Sequence, residues 1–202
     1  MSFGNLIILS GPSGAGKTTL AKKITDMNHD VLKFSCTYTT RKKRNHEQDT
    51  IDYHFIMQNK FDILQKNNFF IESVNLPFGY SYGTPHSIIN DLKSGKNVVM
   101  VLDRNGVMFW KDTYPDVIAL WITCEKHMRL ERLKKRHIND IVTPEEIEKR
   151  FLQGEIETLN EINNPICSYI IENTTLSSTL DVITSILTKY LKKNIKNIFV
   201  EL

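Results

Sequence analysis

The chain has 202 residues, 41% of them hydrophobic and 24% charged, with a formal net charge of +3. This balance is typical of an ordinary globular protein and disfavours a disordered, collagen-like or membrane protein. A charge so close to zero also disfavours nucleic acid as the main partner. The three cysteines are far apart and odd in number, so we expect no disulfide framework and a reducing cytoplasm. We also expect a monomer. The sequence contains no run of about 18 apolar residues, so no membrane span is predicted.

Short apolar runs predict the strands of a buried sheet. They cover residues 6–9, 98–102, 117–122 and 169–171. Helical patterns follow at about 18–28, 104–114, 126–137 and 144–163. Strands that alternate with helices are typical of a parallel sheet covered by helices on both faces. We therefore expect an α/β fold.

Residues 37–95 interrupt this alternation. They are richer in polar and aromatic side chains, and their strand candidates are short. A mixed α+β insertion fits this segment better than another parallel strand and crossover. Further on, the polar residues 137–142 predict a loop, and Thr143-Pro144-Glu145-Glu146 is a capping box that predicts the start of a helix.

Residues 11–18 read Gly-Pro-Ser-Gly-Ala-Gly-Lys-Thr and match the pattern G-x-x-x-x-G-K-[ST]. The context is also right, because a predicted strand precedes the match and a predicted helix follows it. Glycines let backbone N–H groups turn toward a phosphate, and the helix start adds partial positive charge. Lys17 can reach the β- and γ-phosphates, and the Thr18 hydroxyl can bind Mg²⁺. The motif predicts a nucleoside triphosphate but does not identify the acceptor.

Two further features leave alternatives open. Asp103 ends the apolar run 98–102, where an acid could hold Mg²⁺ through water or hold the acceptor, or could cap a helix. The cluster from Thr39 to Glu47 contains Arg41 and Arg44. Guanidinium groups and hydroxyls suit a phosphate that is held and not cleaved, yet such a run can also be a solvated surface.

Taken in order, these motifs resemble those of guanylate kinases from about residue 5 to 190. The resemblance rests on the residues 11–18, Thr39-Thr40-Arg41-x-x-Arg44-x-x-Glu47 with Tyr53, Phe70-Ile71-Glu72, Tyr82-Gly83-Thr84, Asp103 before Gly106-Val107, and Arg132, Arg136 and Arg150. It implies one domain over residues 1–202: a core of 1–36 and 96–202, a GMP-binding lobe of 37–95 and a helical lid of 136–150. The implied activity is ATP-dependent phosphorylation of GMP, and also of dGMP, by in-line transfer with Mg²⁺.

The resemblance also assigns roles to residues. The implied ATP site is Gly11, Ser13, Gly14, Ala15, Gly16, Lys17, Thr18, Thr19, Arg132 and Asn173, with Thr18 on the metal. The implied GMP site is Thr37, Arg41, Arg44, Glu47, Tyr53, Glu72, Tyr82, Gly83, Thr84 and Asp103. The implied catalytic residues are Lys17, Arg44, Arg136 and Arg150. A carboxylate at Glu72 suits guanine, because N1–H and the 2-amino group are adjacent donors, whereas N1 of adenine is an acceptor.

The chain departs from the family pattern in three places. Val101 stands where the family usually has the first acid of Asp-x-Asp, the lid between Arg136 and Arg150 is a few residues longer, and Glu172-Asn173 replaces the usual Asn-Asp. Two alternatives remain: another small-molecule P-loop kinase, or a guanylate-kinase-like protein-binding module without catalysis. The intact Lys17 and Thr18 argue against the second.

Overall fold

The computed structural model describes residues 3–45, 47–76, 79–114, 116–137 and 143–191, with residues 136 and 137 described by backbone alone. The strands are β1 Leu6–Ser10, β2 Leu32–Phe34, β3 Tyr38–Thr39, β4 His54–Phe55, β5 Phe70–Asn75, β6 Ser81–Pro85, β7 Asn97–Val101, β8 Val117–Thr123 and β9 Tyr169–Glu172. The helices are α1 Lys17–Met27, α2 Gln58–Lys66, α3 Ser87–Lys93, α4 Arg104–Thr113, α5 Lys126–His137, α6 Pro144–Asn163 and α7 Leu176–Tyr190.

Five strands form a parallel sheet in the order β2-β7-β1-β8-β9. The central strand β1 is buried along its whole length, because hydrophobic side chains cover both faces of the sheet. One face packs mainly against α1 and α7 and the other against α3 and α4. Burial of each large aliphatic side chain contributes about 1.5–3 kcal/mol. The predicted α/β fold is confirmed.

The insertion carries its own four-stranded sheet, in the order β4-β3-β6-β5. Strands β3 and β4 are parallel, and the other two pairs are antiparallel. Aromatic side chains hold this sheet to α2, with the rings of Phe61 and Phe70 stacked 4.7 Å apart and Tyr38 at the edge of Phe70. The insertion therefore has the mixed α+β character that its composition predicts.

The predicted elements of the core agree with the structure to within about two residues at each end. The capping box before α6 is present, since the Thr143 hydroxyl accepts a hydrogen bond from Glu146 N. The sequence analysis missed the short edge strand β2 and the last helix, α7. None of the described helices is long and apolar enough to cross a membrane, and the cysteines Cys36, Cys124 and Cys167 are all free thiols.

Candidate active site

One cleft brings the two predicted nucleotide sites together. It lies at the carboxyl ends of β1 and β7, bounded by the four-stranded sheet and by α6. The predicted ATP-site residues that line it are Gly11, Ser13, Gly14, Gly16, Lys17 and Thr18. The predicted GMP-site residues that line it are Thr37, Arg41, Arg44, Tyr53, Glu72, Tyr82, Gly83 and Asp103, and Arg150 lines it from α6.

The loop between β1 and α1 has the backbone of a phosphate-binding loop. Gly11, Gly14 and Gly16 adopt φ values of 132°, 91° and 95°, where a side chain would be strained. The loop leads directly into the N-terminus of α1, whose unpaired N–H groups attract an anion. Lys17 Nζ donates to the carbonyl oxygens of Gly11 and Pro12, at 2.6 and 2.9 Å. These two hydrogen bonds hold the ammonium group at the loop.

The phosphate-binding loop is braced from behind by the residue that follows β9. Asn173 Nδ2 donates to the carbonyl oxygen of Ala15 at 2.7 Å, and its Oδ1 accepts from Thr179 Oγ1 at 3.1 Å. A Cβ at Gly16 would overlap the Asn173 amide. Both polar ends of Asn173 are therefore used by the protein to brace the loop. The predicted ATP contact of Asn173 stays a prediction.

The other predicted ATP-site residues surround the loop without lining the cleft. Arg132 Nη1 lies 3.4 Å from the carbonyl oxygen of Gly14, beside the loop. Ala15 is fully buried beneath the loop, and the side chain of Thr19 is exposed on α1. The predicted ATP contacts of these three residues remain predictions.

In the insertion, Glu47 holds two arginines in place. Its Oε1 and Oε2 accept from Nη2 and Nη1 of Arg41 at 2.8 and 2.9 Å, and Oε2 also accepts from the backbone N of Arg44 at 2.9 Å. Burial raises the pKa of Glu47, but the hydrogen bonds and charges of both arginines outweigh it and lower the pKa overall. Glu47 is 6% exposed and does not line the cleft. Glu47 thus holds the two arginines in place, and its predicted direct contact with GMP stays a prediction.

Hydroxyl groups join the two arginines at the cleft wall. The ring of Tyr53 lies 5.9 Å from that of Tyr82 and 5.5 Å from the Arg41 guanidinium carbon. Burial is the main cause that raises the pKa of Tyr53 to about 12, so its hydroxyl keeps its proton at neutral pH. The buried Thr37 adds a third hydroxyl. Such a set of donors suits a phosphate dianion that is bound and not transferred.

Glu72 and Thr84 face each other across β5 and β6. The Thr84 hydroxyl donates to Glu72 Oε1, which fixes the carboxylate at the cleft wall. Burial raises the pKa of Glu72, the hydrogen bond from Thr84 opposes this, and the nearby charge of Asp103 adds to it. Thr84 is itself fully buried and does not line the cleft, so its link to the cleft wall is the hydrogen bond to Glu72.

Asp103 is both a helix cap and a residue of the cleft lining. It caps α4, because its Oδ1 accepts from Gly106 N at 2.8 Å, and it also lines the cleft. Burial raises its pKa, while the Gly106 hydrogen bond and the charge of Lys17 lower it. Val101, which stands in place of the usual acid, lines the same wall.

One face of α6 also lines the cleft. Its residues are Arg150, Gln153, Gly154 and Glu157, at positions i, i+3, i+4 and i+7. Arg150 Nη2 lies 2.5 Å from Glu146 Oε1, and its guanidinium carbon lies 5.8 Å from the centre of the Tyr80 ring. The sequence analysis missed the last three residues of this face, although their helical spacing from Arg150 was a usable signal.

Other missed residues of the lining are apolar or aromatic, namely Val74, Leu76 and Tyr80. No chemical signal marks them in the sequence. The side chain of Arg136 and the lid residues 138–142 lie outside the described residues, so the predicted role of Arg136 is not tested here.

Comparisons with known proteins agree with these motifs. The guanylate kinase family model matches residues 3–190. Guanylate kinase from Koribacter versatilis is 34% identical over 190 residues, covering 91% of this chain and 77% of that protein. Guanylate kinase from Mycoplasma genitalium is 36% identical over 187 residues, covering 91% and 75%. The crystal structure of guanylate kinase from Anaplasma phagocytophilum, at 24% identity, shares the fold with a TM-score of 0.73 over 99% of this chain and 93% of that one. The chain therefore belongs to the guanylate kinase family.

Proposed function

We propose that this protein transfers the γ-phosphoryl group of ATP to GMP, forming ADP and GDP, and that dGMP is a second acceptor. One observation carries the proposal: a phosphate-binding loop and a carboxylate suited to guanine line the same cleft. The arginines and hydroxyls of the insertion lie on that cleft as well, where they can hold the phosphate of the acceptor.

On the ATP side, the backbone N–H groups of residues 11–18 hold the phosphates. Lys17 exchanges the Gly11 and Pro12 carbonyl oxygens for phosphate oxygens, and its charge stabilises the transferring group. Phosphoryl transfer needs positioning and charge neutralisation rather than a covalent intermediate. Arg44 adds positive charge from the insertion, and Arg150 adds it from α6.

The residues at this site also fit Mg²⁺. The Thr18 hydroxyl and the Asp103 carboxylate are oxygen donors on the cleft wall, and oxygen is the ligand that Mg²⁺ prefers. The described part of the chain contains no group of three or more His, Cys, Asp or Glu side chains that could hold a metal ion. We assign to Thr18 a direct contact with Mg²⁺ and to Asp103 a contact through water. Bound Mg²⁺ would neutralise phosphate charge.

On the acceptor side, Arg41, Arg44, Tyr53, Tyr82 and Thr37 bind the phosphate of GMP. Glu72 accepts from guanine N1–H and the 2-amino group, oriented by Thr84. We assign residues 37–95 as the GMP-binding lobe and residues 136–150 as the lid. Closure of both over the nucleotides would exclude water, which otherwise competes for the phosphoryl group.

A coupled assay of ADP release tests this function, with ATP and each of GMP, dGMP, AMP and UMP. We expect turnover with GMP and dGMP and little with the other two. A preference for AMP or UMP would support a different nucleotide kinase. No turnover with any acceptor, from a protein that still binds GMP, would support the non-catalytic binding module. Lys17→Met, prepared in parallel, controls for a contaminating kinase.

The setting of the enzyme is a separate proposal. Three free cysteines support a reducing cytoplasm, and the guanylate kinase match over residues 3–190 supports small-molecule substrates. We also propose that the protein is a monomer. The near-neutral charge supports the absence of a nucleic-acid partner. Light scattering behind size exclusion measures the mass of the particle, and a mass of 23.4 kDa is expected for a monomer.

A further inference from the structure

Arg129 is a buried charge next to the phosphate-binding loop. It lies on α5, and its side chain is only 1% exposed. Burial of a guanidinium group is costly unless hydrogen bonds and an opposite charge compensate for it. The residues that contact the Arg129 guanidinium group therefore show which parts of the fold Arg129 connects.

Those partners are all on α6. Arg129 Nη2 donates to the carbonyl oxygen of Phe151 at 3.0 Å and to Glu155 Oε1 at 2.5 Å. The guanidinium carbon also lies 4.4 Å from the centre of the Phe151 ring, a cation–π contact. One side chain of α5 thus restrains both the position of α6 along its axis and its rotation about that axis.

The same side chain contacts the phosphate-binding loop. A Cβ at Gly14 would lie 3.0 Å from Arg129 Cγ. A Cβ at Gly154 would overlap Arg129 Nη1 and lie 2.7 Å from Pro12 Cβ. Glycine inside a helix costs about 1 kcal/mol relative to alanine, so α6 gives up helix stability to approach the loop and Arg129 this closely.

This contact lies in the middle of the α6 face that lines the cleft. Gly154 is one turn from Arg150 on one side and three residues from Glu157 on the other. A shift of α6 at Gly154 would therefore carry Arg150 away from the phosphates held by the loop.

We propose that Arg129 is a positioning residue, which ties α6 to the phosphate-binding loop so that Arg150 meets the transferring phosphoryl group. The inference deepens the proposed function and rests on it. It predicts a loss of kcat rather than of GMP binding, because Arg129 makes no contact with the insertion in the described structure.

Lys126 offers a matched control. Its Nζ lies 2.5 Å from Glu155 Oε2, but its side chain is 78% exposed and makes no contact with Gly14 or Gly154. Lys126→Met and Arg129→Met each remove one ion pair to the same carboxylate. Only the second also removes the link to the phosphate-binding loop.

Steady-state kinetics of wild type, Lys126→Met, Arg129→Met and Arg129→Lys provide the test. A small displacement of a catalytic group can cost up to about 100-fold in rate, and we expect Arg129→Met to lower kcat on the order of 10- to 100-fold. We expect its KM for GMP to stay within about twofold, since uniform binding is unaffected. Lys126→Met should match wild type, and Arg129→Lys should recover part of the rate, since it keeps the charge but not the two-armed contact.

Gly154→Ala is the second variant, in case Arg129→Met does not fold. Its Cβ would displace Arg129 while all charges remain, so we expect the same loss of kcat together with a lower melting temperature. A kcat within twofold of wild type in a folded Arg129→Met or Gly154→Ala would overturn the positioning role, while wild-type turnover with GMP would leave the proposed function intact. No GMP turnover by wild type would overturn both.

Discussion

The hydroxyl of Thr84 donates a hydrogen bond to Oε1 of Glu72, directly across the antiparallel pair of β5 and β6. The donor is fully buried and the acceptor lines the cleft. A carboxylate fixed in this way loses little conformational entropy when it binds the two donors of a guanine base. The pair is therefore suited to distinguish purine bases by their hydrogen-bond donors.

The first prediction concerns base specificity. AMP should be a poorer acceptor than GMP by roughly 10³-fold or more in kcat/KM, because adenine leaves the carboxylate facing a lone pair. Glu72→Gln should lower kcat/KM for GMP by an amount equivalent to about 1.5–3 kcal/mol of transition-state stabilisation. The reason is that the glutamine NH₂ group would face an N–H donor of guanine. Steady-state kinetics with both nucleotides measure this, with the exposed Glu131→Gln as control. Equal use of AMP by wild type would refute the role of Glu72.

The second prediction is the acid limb of kcat/KM for GMP. Burial raises the pKa of Glu72, so its carboxyl gains a proton above the ordinary glutamate pKa of about 4.3. Protonated Glu72 no longer accepts from both guanine donors, and kcat/KM should fall as pH falls through this raised pKa. The GMP phosphate also titrates, near pH 6, by analogy with phosphorylated side chains. In Glu72→Gln, the pH dependence that comes from the GMP phosphate should remain and the one that comes from Glu72 should disappear. If both remain unchanged, Glu72 is not the group that titrates.

The third prediction concerns stability and Glu47. Removal of its charge leaves Arg41 buried with a weaker partner, and Glu47→Gln should cost about 3 kcal/mol in the free energy of unfolding at pH 7. The folded pKa of Glu47 is lowered, so its contribution is complete above the ordinary pKa of about 4.3 and is lost as pH falls through the folded value.

Denaturant melts of wild type and Glu47→Gln between pH 7 and pH 3 would measure this difference, which should shrink toward acid. The exposed Glu148→Gln is the control and should leave stability within about 0.5 kcal/mol. A gap that stays constant with pH would mean that the pair with Arg41 is not its source.

The fourth prediction concerns Lys17. Lys17→Met removes a charge that is needed chiefly as the phosphoryl group transfers, and kcat should fall on the order of 10²-fold or more, with GMP binding largely kept. Lys23→Met alters an exposed lysine on the same helix and should behave as wild type. Turnover of Lys17→Met within a few-fold of wild type would remove the basis for the ATP site.

The fifth prediction concerns the lid arginine that the structure describes. Arg150 reaches the cleft from α6 and lies over the Tyr80 ring, so Arg150→Ala should lower kcat on the order of 10²-fold with a smaller change in KM for GMP. Lys149→Ala, an exposed neighbour, is the control. Single-turnover measurements would show whether the loss lies in the chemical step, and an unchanged single-turnover rate would contradict this role.

The sequence predicted the core because its signals are local. Residues 6–9 and 117–122 are apolar throughout, as strands buried on both faces are. The glycine pattern of residues 11–18 also requires nothing from the rest of the chain. By contrast, β2 has three residues, too few for a pattern, and it is a strand because β7 provides its partner. The missed α7 had a signal, since Leu180, Ile183 and Leu187 follow helical spacing and are fully buried.

The roles of individual site residues were harder to predict, because they depend on contacts between distant segments. Asn173 binds the carbonyl oxygen of Ala15 across 158 positions of the chain. Arg129 is indistinguishable in sequence from the exposed basic residues around it on α5. Both carboxylate oxygens of Glu47 accept hydrogen bonds from Arg41 and Arg44, a pairing that the sequence pattern did not indicate. The chemical type of a side chain can be predicted from the local sequence, but the residue that it contacts from a distant segment cannot.

The bracing of the phosphate-binding loop by Asn173 has a consequence for biosynthesis. Strand β1 pairs with β7 and β8, which follow it by some 90 residues or more, and the loop after β1 is held by a residue that comes later still. During synthesis, β1 and the phosphate-binding loop therefore cannot form these contacts until most of the domain has left the ribosome. Contacts so distant in sequence slow folding and prolong the exposure of apolar segments. A complete phosphate-binding loop would therefore form late in the synthesis of the chain.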